Sequence, residues 1–253
     1  MKNLLSAEHL KYKRTFARKL MVLAPSFFVL VALTQRFLMP GFQEQPWEFV
    51  LALVYNWWPV LFLPLGLALV ASLTESQEKR AGNYKGIRTR FVSPQLLWIS
   101  KILVVAYYAL LTTVVLVVVV LVFGLLIAHD DVPWRKILVG GLLLWLTALP
   151  IIPLQLWVAH RGGTLASMLV GIFGFVAGVL GAPESYWFCI PWSWPTRLMS
   201  PLIGVHPNGM FLEETSSLLD PAVIPLGIGL SLITFLVLTG CTGLSFSHQG
   251  VKV

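Results

Sequence analysis

Six stretches of this chain are each about as long as a bilayer is thick and almost free of charge: 20–39, 49–73, 102–128, 137–159, 164–181 and 222–244. A helix needs about 20 consecutive apolar residues to make that crossing. In lipid only a helix or a closed barrel satisfies every backbone group, and these runs are too long for barrel strands. The valine-rich 114–120 is therefore read as helix, although in water it would favour strand. The fold class that follows is all-α, a polytopic membrane protein with six transmembrane helices. The first run follows a basic stretch as a signal peptide would, but it is too long for an h-region and lacks a small-x-small cleavage site. It is expected to be a retained helix.

Composition excludes the main alternatives. Only 11% of the residues are charged, against roughly 25% in soluble domains, so neither a soluble enzyme nor a disordered chain is expected. Two cysteines, Cys189 and Cys241, cannot build a disulfide framework. Ser93-Pro94, Asp131-Val132-Pro133 and Asp220-Pro221 place an acceptor and then a proline at the start of the third, fourth and sixth runs, which is N-terminal helix chemistry.

The net charge of +7 is a remainder of two unlike surfaces. Fourteen cations fall on one side: Lys2, Lys11, Lys13, Arg14, Arg18, Lys19, Lys79, Arg80, Lys85, Arg88, Arg90, Lys101, Arg161 and Lys252. Arg36, Arg135, Lys136 and Arg197 fall on the other, with eight of the eleven acids. Basic residues stay in the cytosol, so both termini are expected there. The balance is +11 inside and −4 outside, and it argues for orientation rather than for nucleic acid.

Three segments outside the runs carry candidate contacts. In 1–19, Leu5, His9, Tyr12, Phe16 and Leu20 share one helical sector opposite Lys11, Arg14 and Arg18, the pattern of an amphipathic interface helix. In the loop 74–101, Thr74 and Gln77 form a possible capping box for a short helix through Glu75, Glu78, Lys79 and Arg80. Between the fifth and sixth runs, 183–221 holds five prolines ahead of Pro221 and six aromatics, among them Trp187, Trp192 and Trp194, with the acids Glu213 and Glu214. It is too long for a plain connector. It reads as an outer interfacial or re-entrant segment, either an aromatic belt or a vestibule for an amphipathic cation. Within the runs, Gly174 and Gly178 form a small-xxx-small pair for helix packing. Pro59, Pro64, Pro150 and Pro153 should kink their helices, and Asn56, Trp57 and Trp58 precede the first kink as an interfacial pair or a cavity lining.

The sequence has no G-x-x-x-x-G-K-[ST], H-E-x-x-H or G-x-S-x-G, and no paired intramembrane acids. An intramembrane enzyme using Asp130 and Asp131, or His160 with Arg161, is disfavoured because adjacent side chains face different ways on a helix. A passive sensor or scaffold stays open. The chain has no engine of its own, and its basic inner surface is where a driving partner would dock.

This layout resembles the permeases of type-2 ABC exporters over nearly the whole chain. More narrowly, Ala7-Glu8-His9-Leu10-Lys11-Tyr12-Lys13-Arg14-Thr15-Phe16, Asn56-Trp57-Trp58, and Glu78-Lys79 through Tyr84-Lys85 to Lys101 are similar to lantibiotic-immunity permeases of the MutE/EpiE type. The resemblance implies one transmembrane permease domain over 1–253, without enzymatic activity or a bound cofactor, in a bacterial plasma membrane. ATP and Mg would be used by a separate ABC ATPase, and a second copy or a related permease would complete the transporter. Its cargo would be a lanthionine peptide cleared from the membrane; the alternative is another drug, peptide or lipid. Carried onto this chain, Glu75, Glu78, Lys79, Arg80, Tyr84, Lys85 and Arg88 would couple to the ATPase, and Leu5, Glu8, Tyr12 and Phe16 would belong to the interface helix. Asn56, Trp57, Trp58, Trp187, Trp192, Trp194, Glu213 and Glu214 are the candidate substrate path.

Overall fold

The computed structural model describes residues 1–38, 45–82, 84 and 93–248. Lys85, Arg88 and Arg90 lie outside the described residues, as do Met39, Glu44 and Lys252. Every regular element among the described residues is helical. Five helical units are long and apolar enough to cross a membrane.

Helix α1 (Lys2–Tyr12) and helix α2 (Phe16–Leu38) meet at an elbow where Arg14 takes a φ of 68°. Residues 1–19 are therefore not one helix, and α2 starts earlier than the apolar run. Helix α3 (Trp47–Trp57) passes through one π-helical turn, Trp58–Phe62, into α4 (Leu63–Arg80). Pro59 accounts for that turn: it has no N–H to close the ordinary i→i−4 bond, and the chain widens until the Leu63 N–H reaches the Trp58 carbonyl. The second apolar run ends at residue 73, but the helix continues unbroken to Arg80. Thr74 is thus not a cap, and its Oγ1 donates to the Val70 carbonyl at 2.8 Å.

Helix α5 (Pro94–Ile127) begins at the expected Ser93-Pro94 and has 34 residues, about 51 Å of rise, so it outruns the hydrocarbon core. Helix α6 (Trp134–Ala148) gives way at Leu149-Pro150 to α7 (Ile151–Gly181), the break expected of Pro150. Asp131 does not cap α6. Instead the Asp130 carboxylate accepts the Trp47 N–H at 2.8 Å, so the cap serves α3.

Helix α7 is not straight. Gly163 takes φ 76° and ψ −167°, a conformation open to glycine and costly for a residue with a Cβ. Ser167 Oγ donates to Gln155 Oε1 at 3.2 Å, although a straight helix would hold them about 18 Å apart. The chain therefore folds back at Gly163, between the runs 137–159 and 164–181. Helix α8 (Ser193–Ile203) follows in the 183–221 segment, and α9 (Val223–Ser247) closes the described chain.

Two apolar cores hold the helices. One gathers Val54, Tyr55, Phe123, Leu144, Trp194 and Leu198, the other Trp98, Ile102, Val105, Leu156 and Phe246. Leu30, Val118, Phe173 and Leu236 stay exposed on the outside, a surface suited to lipid and not to water.

Candidate functional site

Five elements converge where α4 ends and α5 begins. Glu75 and Glu78 sit a turn apart on the inner face of α4, with Lys101 opposite them on α5. All three are buried. Lys101 Nζ donates to Glu75 Oε1 at 2.7 Å and stands 3.5 Å from Glu78 Oε1. Tyr84, from the α4–α5 connection, places its hydroxyl 2.8 and 3.0 Å from the Glu75 oxygens and accepts from Lys101. His160 Nδ1, from the first arm of α7, is 2.9 Å from Glu75 Oε2. Trp98 and Phe246 stack at 4.8 Å beside it, which brings in α9.

Helix α1 joins through its own charges. Lys11 Nζ bridges Glu8 Oε1 at 2.6 Å and Glu78 Oε1 at 2.5 Å. The Tyr12 hydroxyl donates to Thr74 Oγ1 at 2.6 Å, the Thr74 proton being used on Val70. A buried charge is tolerable only with partners, so this end of the molecule is ordered by its pairing. Tyr84 shows how firmly: its φ is 67°, an outlier for an aromatic residue that persists only where the surroundings over-determine it.

Burial raises the Glu8 carboxyl above its usual range, against the pull of Lys101 and Lys11. For Lys11, burial works downward, but Glu8 and Glu78 outweigh it and its pKa is raised. A raised lysine stabilises the fold fully below its ordinary 10.5 and loses that contribution as pH climbs through the folded value. Lys11→Met should therefore unfold at a lower temperature than the parent chain near neutral pH. The gap should close in melts recorded above about pH 10.5.

The segment read as an exposed coupling helix thus divides. Glu75, Glu78 and Tyr84 point into the chain, while Gln77, Lys79 and Arg80 are exposed. Glu8 and Tyr12 likewise face inward and Leu5 is half-buried, whereas Phe16 is exposed and belongs to α2. Sequence reasoning missed that Lys101, Glu75, Glu78 and His160 meet. The available signal was a lone lysine at one end of an apolar run and two acids at the end of another, on the same side of the membrane.

At the opposite end the aromatic set also divides. Trp187 and Trp194 are buried: the Trp194 indole donates to the Phe188 carbonyl at 3.2 Å, and Ser193 Oγ to the Trp187 carbonyl at 2.6 Å. Trp192 is half-buried against the glycines of α7, where a Cβ on Gly174 would fall on its indole and one on Gly178 on its carbonyl. The small-xxx-small pair therefore seats a tryptophan of the same chain. Asn56 and Trp58 are buried, and Trp57 is exposed. Glu213 and Glu214 are exposed, as are Tyr186, Phe188 and Phe211. Helix α8 is buried along almost its whole length among α3, α6, α7 and α9. Its Arg197, read as an outer cation, holds the Leu218 carbonyl at 2.9 Å.

Among the described residues no three His, Cys, Asp or Glu side chains gather as a metal site. Residues 4–178 match the family described as ABC-2 family transporter protein. No curated protein and no solved structure matches the chain.

Proposed function

The chain belongs to the ABC-2 transporter family, and on that premise we propose that it is the membrane subunit of an ATP-driven exporter that expels a lantibiotic-type peptide from a bacterial plasma membrane. Membership implies an ABC ATPase as partner. In this reading ATP and Mg are used in that ATPase, and a second copy or a related permease completes the transporter. The chain crosses the membrane six times with both termini in the cytosol. The fold-back at Gly163 supports counting the two arms of α7 separately, and the distribution of basic residues supports the orientation.

The observation that carries the coupling role is the fastening of Tyr84. This residue of the α4–α5 connection is bonded to Glu75 on α4 and Lys101 on α5, and Glu78 passes the link to Lys11 on α1. A pull on the connection therefore moves three helices together. Reversing Lys79, Lys85 and Arg88 to glutamate leaves Glu75, Glu78, Tyr84 and Lys101 untouched. The variant should fold and should retain about tenfold less ATPase on copurification. An undiminished complex would remove this connection from the coupling role.

For the cargo, the exposed Glu213 and Glu214 with Tyr186, Phe188 and Phe211 offer an amphipathic, cationic peptide both charge and apolar contact. A strain lacking the chain should become sensitive to lantibiotics and not to bacitracin. Equal sensitivity to unrelated agents would indicate a general exporter. Protection that survives an inactive ATPase would indicate a passive sensor or scaffold.

A further inference from the structure

Helix α2 is loosely held. Of its 23 residues only Ala17, Pro25, Phe28 and Ala32 are buried, and it leans on α5 much more than on α4. Two adjoining cavities open between α2 and α4. The first is apolar, with Met21 and Ala24 on one wall, Phe62, Gly66 and Val70 on the other, and α5 and α6 behind at Ala109 and Leu144. The second is lined by Thr15, Leu73, Ser76, Gln77 and Arg80. Tyr12 and Ala17 line both, so the two lie end to end as a furrow pinched where the Tyr12 hydroxyl meets Thr74. From the π-helical turn along α4 the lining residues succeed each other at helical spacing, Phe62, Gly66, Val70, Leu73, Gln77 and Arg80, over about 27 Å of rise.

Two details say what such a furrow would hold. A Cβ at Gly66 would meet nothing within 4 Å, whereas one at Gly171 would run into Ala68 on α4; Gly66 therefore keeps a space open and does not bring two helices together. Arg80, at the polar end, is exposed and has no carboxylate partner among the described residues. A guanidinium is suited to phosphate. An apolar slot ending at an unpaired arginine matches a chain-bearing anion. A peptide helix, about 10 Å across, is too wide for a gap whose two walls still touch; an acyl chain is not.

We propose that this furrow binds an anionic phospholipid, with one acyl chain between α2 and α4 and the phosphate at Arg80. The assignment rests on the chain lying in a membrane, and not on its cargo or its ATPase. The test is thermal unfolding of the full-length chain in detergent with phosphatidylglycerol, phosphatidylcholine or inorganic phosphate added. Phosphatidylglycerol should raise the midpoint by about 5 °C, well beyond the other two. Arg80→Gln should bring the two lipids level. A Cβ at Gly66 meets nothing within 4 Å, so Gly66→Leu should occupy the space and abolish the lipid response while the lipid-free midpoint stays at or above the parent's. Equal effects of the two lipids on the parent, a phosphatidylglycerol shift that survives either substitution, or the same shift with inorganic phosphate would each overturn the proposal. The readout is independent of ATPase copurification, so either idea can fail alone.

Discussion

Replacing Lys101 with methionine is expected to lower stability by about 3–5 kcal/mol, the usual cost of leaving a buried charge without its partner. Lys101 is 1% exposed, as is Glu75, so solvent does not screen the pair. Without the ammonium, Glu75 keeps only the Tyr84 hydroxyl and His160 among the described contacts, and Glu78 keeps Lys11. In detergent the unfolding midpoint should fall by roughly 10 °C. The double variant Lys101→Met with Glu75→Gln removes the stranded charge as well, and should recover a good part of the loss. An unchanged midpoint in the single variant would show that water reaches Glu75 and that the network does not order this end of the molecule.

The second large effect is expected at Gly178. Its missing Cβ leaves room for the backbone carbonyl of Trp192, an atom that cannot swing away as a side-chain tip can. Gly178→Leu should therefore cost about 3 kcal/mol, at the upper end of the range for overpacking. The displacement would reach α8, whose first residues follow Trp192 directly. Intrinsic tryptophan fluorescence should report the movement of Trp192 and Trp194, together with faster proteolysis in 183–221. Gly66→Leu is the matched control, since that position faces open space. If both leucine variants melt alike, the glycine pair does not seat the tryptophan.

Much of the architecture was legible because lipid simplifies the rules. Hydropathy located the long helices, and prolines located the breaks at Pro59 and Pro150. The helix ends were harder. The run 49–73 stops where Glu75 approaches, yet backbone bonding carries α4 on to Arg80, because Glu75 and Glu78 find partners instead of water. The wheel drawn through 1–20 assumed one continuous helix and could not register the elbow at Arg14. It also put Lys11 on the solvent side, whereas Lys11 turns inward to Glu78. No local pattern announces a site assembled from residues 8, 11, 75, 78, 84, 101 and 160, because a charge at a helix end looks the same whether it meets water or another helix. The glycine pair was visible too, but Trp192, its partner, lies in a segment without periodicity.

The widened turn at Trp58–Phe62 also fixes a phase relation. It places one more residue in the rod than an α-helix of the same number of turns would hold, and one residue corresponds to about 100° of rotation. The faces that α3 shows to α8 and that α4 shows to Lys101 are therefore indexed to each other through five residues. Substitutions along the rod act one site at a time. A single-residue deletion inside that turn would instead rotate all of α4 against α3, moving Glu75 and Glu78 off Lys101 with every one of their side chains intact.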